Sequence, residues 1–133
     1  MMDLAVQLSD ITEKALYLQG LDVVDVKFKS GHSLEVFVAS SPDQRIRGLS
    51  NLEHIPTDGM LFYYPSGTYK PFSVKEMAFD LDIGWYDAGG KLLDVRNCVA
   101  GDSRPVVTAR KFNYVIETSS KVLPFSDLDL NNG

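Results

Sequence analysis

The chain has 133 residues, 44% of them apolar and 11% aromatic, a composition that suits one packed core and excludes a disordered polar chain. Eighteen acidic residues against 13 basic leave a formal charge of −5, and no long run of Lys or Arg could follow a phosphate backbone, so no nucleic-acid partner is expected. Cys98 is the single cysteine, which excludes an internal disulfide and reads as a small buried side chain.

In chain order, Leu4, Leu8, Ile11, Ala15 and Leu18 recur at alternating steps of four and three, the period of one helical face. An amphipathic helix is predicted up to about Gly20, a good residue for the position after a helix. Val23 to Phe28 and Ser33 to Ala39 read as a hairpin around Ser30, Gly31 and His32. In its second strand Leu34, Val36 and Val38 alternate with Glu35, Phe37 and Ala39, which predicts one buried face. Ser41, Pro42 and Gln44 supply an N-cap, a first-turn proline and the third position of a capping box, so a short helix should run to about Arg47 and end at Gly48. Asn51 to Gly59 reads as loop, and Met60 to Tyr64 as strand. Leu81 to Asp87 and Lys91 to Asn97 flank Ala88-Gly89-Gly90 as a second hairpin, and Lys111 to Thr118 is the last strand. Cys98 to Arg110 reads as a connection, and Asp127 to Gly133 as a frayed end. Two parts are expected: a helical extension over residues 1–20 and a single β-rich domain over 21–133.

From Ser41 onward the residues resemble the family known as domain of unknown function 192. Pro42, Arg45, Gly48 and Leu49 match its pattern around a short helix, with Ser41 in place of its Thr and Ser50 in place of its Met. Gly59, Met60, Leu61 and Phe62 reproduce its Gly-Met-Leu-Phe. In its Phe-Trp-Met-Lys-Asn-Thr block Phe72 and Lys75 agree, whereas Ser73, Val74, Glu76 and Met77 depart. Asp80, Leu81, Asp82 and Ile83 stand where it has Pro-Leu-Asp and apolar residues, with Gly89 and Gly90 in the expected hairpin. The resemblance spans about Leu34 to Thr118 and implies a mainly β (α+β) fold, a compact barrel-like antiparallel sheet with short helices. It supplies no reaction. Many relatives look exported, carrying a leader or lipid-anchor segment before the domain, where this chain has its polar-faced helix.

His32 and His54 both fall in predicted turns, so no catalytic histidine is expected. One cysteine and two histidines 22 positions apart give no zinc spacing, and neither a GxGxxG nor a Walker pattern appears, so no metal or cofactor is expected. Glu76, Asp80 and Asp82 are the densest carboxylate group and could hold a cation or do acid–base work, but capping a turn or meeting Lys75 or an arginine is the favoured reading. Arg45 could bind an anion or fork to Asp82; the ion pair is preferred. The leading expectation is a non-enzymatic structural or interaction module, such as a component of a virus particle or other assembly, docked to a protein partner or to itself through Leu4, Leu8, Ile11, Ala15 and Leu18. The alternative is a small-molecule binder or enzyme with a pocket near Arg45, Phe72, Lys75, Glu76, Asp80 and Asp82. With no secretory leader pattern and nothing near the roughly 20 apolar residues of a membrane span, no membrane partner is expected, and the location expected is the cytoplasm or a virus particle.

Overall fold

The computed structural model describes residues 13–131. Six strands form one mixed sheet: β1 (Asp22–Lys27), β2 (Ser33–Ala39), β3 (Gly59–Thr68), β4 (Leu81–Tyr86), β5 (Leu92–Cys98) and β6 (Phe112–Ser119). Their spatial order is β1-β2-β3-β6-β4-β5, with β2 and β3 parallel and every other pair antiparallel. The sheet is mostly β as expected, but it is open, ending in β1 on one side and β5 on the other. The parallel pair follows from the loop and helix between β2 and β3, which return the chain to the same end of the sheet.

Helical residues 13–19 form α1, and Pro42–Arg47 form α2. The start of α2 is built as its sequence predicts: Ser41 Oγ accepts from Gln44 N at 3.1 Å, and Gln44 Oε1 accepts from Ser41 N at 3.1 Å. Gly48 closes the helix at φ 51°, and a Cβ there would stand 3.2 Å from the Phe62 ring, so both conformation and space call for glycine.

Each face of the sheet carries its own apolar cluster. On one, Phe37, Met60, Phe62, Phe72, Leu81, Ile83, Trp85 and Val115 pack beneath α1, α2 and the loops around residues 49–55 and 70–80. On the other, Phe28, Leu34, Val36, Tyr86, Ile116, Leu123 and Leu128 are closed over by the C-terminal segment. The second strand therefore departs from the expectation of one buried face: Leu34 and Val36 enter one cluster while Phe37 and Ala39 enter the other. A strand flanked on both edges and covered on both faces reads as a nearly continuous apolar run, and LEVFVA is close to one.

The C-terminal end is also firmer than its polar sequence predicted. Leu128 is 2% exposed, Leu128 N donates to Gly90 O at 2.8 Å, Asp129 N donates to Lys27 O at 2.9 Å, and Leu92 N donates to the Asp127 carboxylate at 2.8 Å. One well-placed leucine plugs the second cluster and ties residues 127–129 to three parts of the sheet. Of the predicted helical stripe, Leu4, Leu8 and Ile11 lie outside the described residues. Ala15 is exposed, and Leu18 packs with Tyr17 against the first cluster of the same chain. Tyr17 Oη also donates to Gly48 O at 2.6 Å, and Arg47 pairs with Glu13, so this end of α1 is fastened to α2. No described helix is long and apolar enough to cross a membrane.

Candidate functional site

A cavity of about 410 Å³ opens between α2 and the segment 70–77, above β3 and β6. Two ties hold the second wall in place. Phe72 and Val106 exchange backbone hydrogen bonds at 2.9 and 2.8 Å, and Gly101 N donates to Val74 O at 3.0 Å. Phe62 and Tyr64, two apart on β3, point the same way as Met60, and with Phe72 they make an aromatic lining. Phe62 and Phe72 meet edge-on at 5.3 Å between centroids, and Tyr64 and Phe72 at 6.5 Å.

Arg45 comes in from α2. Its Nη1 donates to Ser40 O at 2.9 Å, and its guanidinium carbon stands 5.3 Å from the centre of the Tyr64 ring. No carboxylate pairs with it among the described residues. Lys70 and Glu76 add one charge of each sign to the wall, both on exposed residues.

Glu117 faces the same cavity from β6. It is 4% exposed, and among the described residues its carboxyl has no hydrogen-bond or ion-pair partner. Burial pushes its pKa up to about 8, because the charged form has lost water without gaining a cation. The neighbouring groups respond to it. The Cys98 thiol is raised to about 11 by burial first and then by the Glu117 charge. The Tyr64 hydroxyl is raised by burial and by Glu117, against the pull of Arg45. Gly59 lies against Glu117 across the β3–β6 ladder, where a Cβ would collide with the Glu117 carbonyl, so the backbone beneath the acid is held at close quarters.

The sequence-derived candidates divide. Arg45, Phe72 and Glu76 line the cavity together. Lys75 lines a separate, more open hollow with Glu13 and Asn51. Asp80 accepts from Ala100 N at 2.9 Å, and Asp82 accepts from Asn97 Nδ2 at 2.9 Å and Lys121 N at 2.8 Å. The expected Arg45–Asp82 ion pair does not form. Asp82 alternates with Leu81 and Ile83, which face the first cluster, so it points through the opposite face of the sheet from Arg45. His32 and His54 are exposed, and among the described residues no three His, Cys, Asp or Glu side chains converge as a metal site. Glu117 was not singled out from sequence, although a signal existed: in KFNYVIETS it shares the inward register of Val115, where an acid is out of place.

The family model of DUF192, an uncharacterized ACR, matches residues 24–130. The chain belongs to the DUF192 family. The match takes in α2, the Gly59-Met60-Leu61-Phe62 stretch, both walls of the cavity and Glu117. Ser73, Glu76 and Met77, read from the sequence as departures from the family pattern, line the cavity wall. Two solved structures share the fold. One, from Sinorhizobium meliloti 1021 and described as a "putative transcription regulator", has a TM-score of 0.71 and 23% identity over 83% of this chain and 93% of its own. The other, a protein of unknown function from Novosphingobium aromaticivorans DSM 12444, has a TM-score of 0.70 and 20% identity over 82% of this chain and 84% of its own. No curated protein matches the sequence.

Proposed function

We propose that this DUF192 protein is a small-molecule-binding module whose ligand is an organic anion with an apolar body, held in the cavity between α2 and the 70–77 segment. The observation that carries the reading is Glu117: a buried, unpartnered carboxyl at the floor of a cavity with aromatic walls. Once ionised, such a group costs stability that a leucine would not, and a strongly perturbed acid in a cleft is a functional-site candidate. A volume of about 410 Å³ falls within the roughly 300–1,000 Å³ of small-ligand sites. The anion follows from Arg45, a guanidinium on the cavity wall that no carboxylate neutralises among the described residues, assisted by Lys70.

The rival reading, a structural module docked through its N-terminal helix, has weaker support, because Tyr17 and Leu18 at the described end of α1 are spent on their own domain. Nor does a charge of −5 without a basic run favour carrying the Sinorhizobium protein's description over to this chain.

The test is calorimetric titration with benzoate and other aromatic and aliphatic carboxylates, alongside matched amines. The expected result is binding of carboxylates, weakened at least tenfold in Arg45→Gln, with amines inert. Amines binding better than carboxylates, or Arg45→Gln binding as wild type, would overturn the reading.

A further inference from the structure

We propose that the deep end of the cavity receives the amide-like edge of a planar ligand, a carbonyl beside an N–H, and that Glu117 meets both as a neutral carboxylic acid while the ligand's anion stays at Arg45. The inference rests on the reading of the cavity as an anion-binding site and adds the chemical class of the ligand's other end.

The groups that face Glu117 leave it uncharged and unoccupied. From α1, Tyr17 turns its hydroxyl to Gly48 O at 2.6 Å. On α2, Arg47 is engaged with Glu13 and lies 3.9 Å from the Tyr17 ring centre, and Arg45 is held by Ser40 O and Tyr64. From β3 and β5, Tyr64 and Cys98 have raised pKa values and carry no charge near neutral pH. On the segment opposite α2, Glu76 adds a like charge and Lys70 an opposite one, both on exposed residues. Under these conditions Glu117 stays protonated near neutral pH, offering one O–H donor and one carbonyl acceptor side by side. The complement of that pair is an acceptor next to a donor, as in a lactam, a primary amide or an imide. A ligand ammonium would instead require an ionised Glu117, which its burial opposes. Three aromatic rings meeting edge-on make walls suited to a flat body.

The probes are orotate, which joins an imide edge to a carboxylate; benzoate, which has the carboxylate alone; and para-aminomethylbenzoate, which replaces the imide with an ammonium. Titration calorimetry on the full chain should find orotate bound more tightly than benzoate. Its affinity should fall about fourfold between about pH 6.5 and about pH 8.5 as Glu117 ionises. Glu117→Gln, which keeps a donor and an acceptor, should retain orotate binding with that fall removed, and Glu117→Leu should lose at least tenfold. Thermal melts confirm that each variant is folded, and the Gln variant decides the matter if the Leu variant is not. Para-aminomethylbenzoate binding best, with affinity rising with pH and lost in Glu117→Gln, would overturn the deep-end assignment. So would equal binding of orotate and benzoate by wild type. In both cases dependence on Arg45 would leave the anion reading standing. Failure of all three probes to bind, or binding indifferent to Arg45→Gln, would overturn both.

Discussion

Asp82 on β4 and Glu117 on β6 are buried carboxylates on adjacent strands, 5% and 4% exposed, and they face opposite sides of the same sheet. Asp82 accepts from Asn97 and Lys121 and so joins β4, β5 and the turn after β6 into one piece. Glu117, one register position away, joins nothing. The same functional group is structural on the face closed by the C-terminal segment and unspent on the face that opens into a cavity. What separates them is the supply of donors: a tight turn and an amide side chain on one face, aromatic rings on the other.

The comparison is tested most severely by the pH dependence of stability. Burial raises Glu117 from an ordinary value of 4.5 to about 8 in the folded protein. The folded state therefore holds a proton that the unfolded state has released between those values. Its contribution to stability is fully present below about pH 4.5 and is lost as pH rises to about 8, a total on the order of several kcal/mol. Urea unfolding at a series of pH values should show that decline in wild type, and Glu117→Gln should flatten it and be the more stable protein at pH 8. A wild-type curve without the decline would mean that the carboxyl has found a partner.

Asp82→Ala should come next in size, costing about 1–3 kcal/mol, because it removes the acceptor of the Lys121 N–H and one of the two acceptors of the Asn97 amide, which keeps Ser120 Oγ. Asp82→Asn, which can still accept, should cost less. If the alanine variant loses under about 1 kcal/mol, the two carboxylates do not differ as described.

The strands, the capping box and the glycine stops were legible in the sequence because each is written in a few consecutive residues: Ser41 with Pro42 and Gln44, Gly48, and the alternation from Leu81 onward. Arg45, Phe72 and Glu76 could be placed at one site through the family pattern. Less legible was anything decided by which face a residue takes. Asp82 sits between two residues of the first cluster, and one step of register sends its side chain away from Arg45. Leu128 looked like part of a polar tail because its value depends on a gap above Tyr86 and Ile116 that only the folded sheet creates. Glu117 was hidden inside a good strand, where its register said more than its neighbourhood did.

Smaller effects sharpen the picture of the open face. Ser41→Ala removes the acceptor for Gln44 N at the start of α2 and should cost about 1 kcal/mol. Because α2 carries Arg45, the same variant should weaken carboxylate binding by several-fold, read by the titration that tests Arg45 itself. A loss of stability with unchanged affinity would show that Arg45 is positioned by Ser40 and Tyr64 alone.

The smallest effect comes from the closed face and bears on whether every polar group there is satisfied. Tyr86 is fully buried in the second cluster, and its hydroxyl has no partner among the described residues. The hydroxyl lies where a Cβ on Gly84 would approach it at 2.8 Å, with Leu123 also against Gly84, so the glycine makes room for the ring and its oxygen without offering a hydrogen bond. Burial, and then the charge on Asp127, push the phenol's pKa up. An unpaired buried hydroxyl loses its hydration and receives nothing in exchange, so deleting it removes a cost, while the ring keeps its packing. Tyr86→Phe should therefore be neutral or stabilising by up to about 1 kcal/mol, measured as the shift in urea midpoint with an unchanged slope. A destabilisation of more than about 1 kcal/mol would mean that the hydroxyl is bonded in solution, for instance through a water to Asp127. The closed face would then match the Asp82 pattern throughout, leaving Glu117 as the sheet's unpaired buried acid among the described residues.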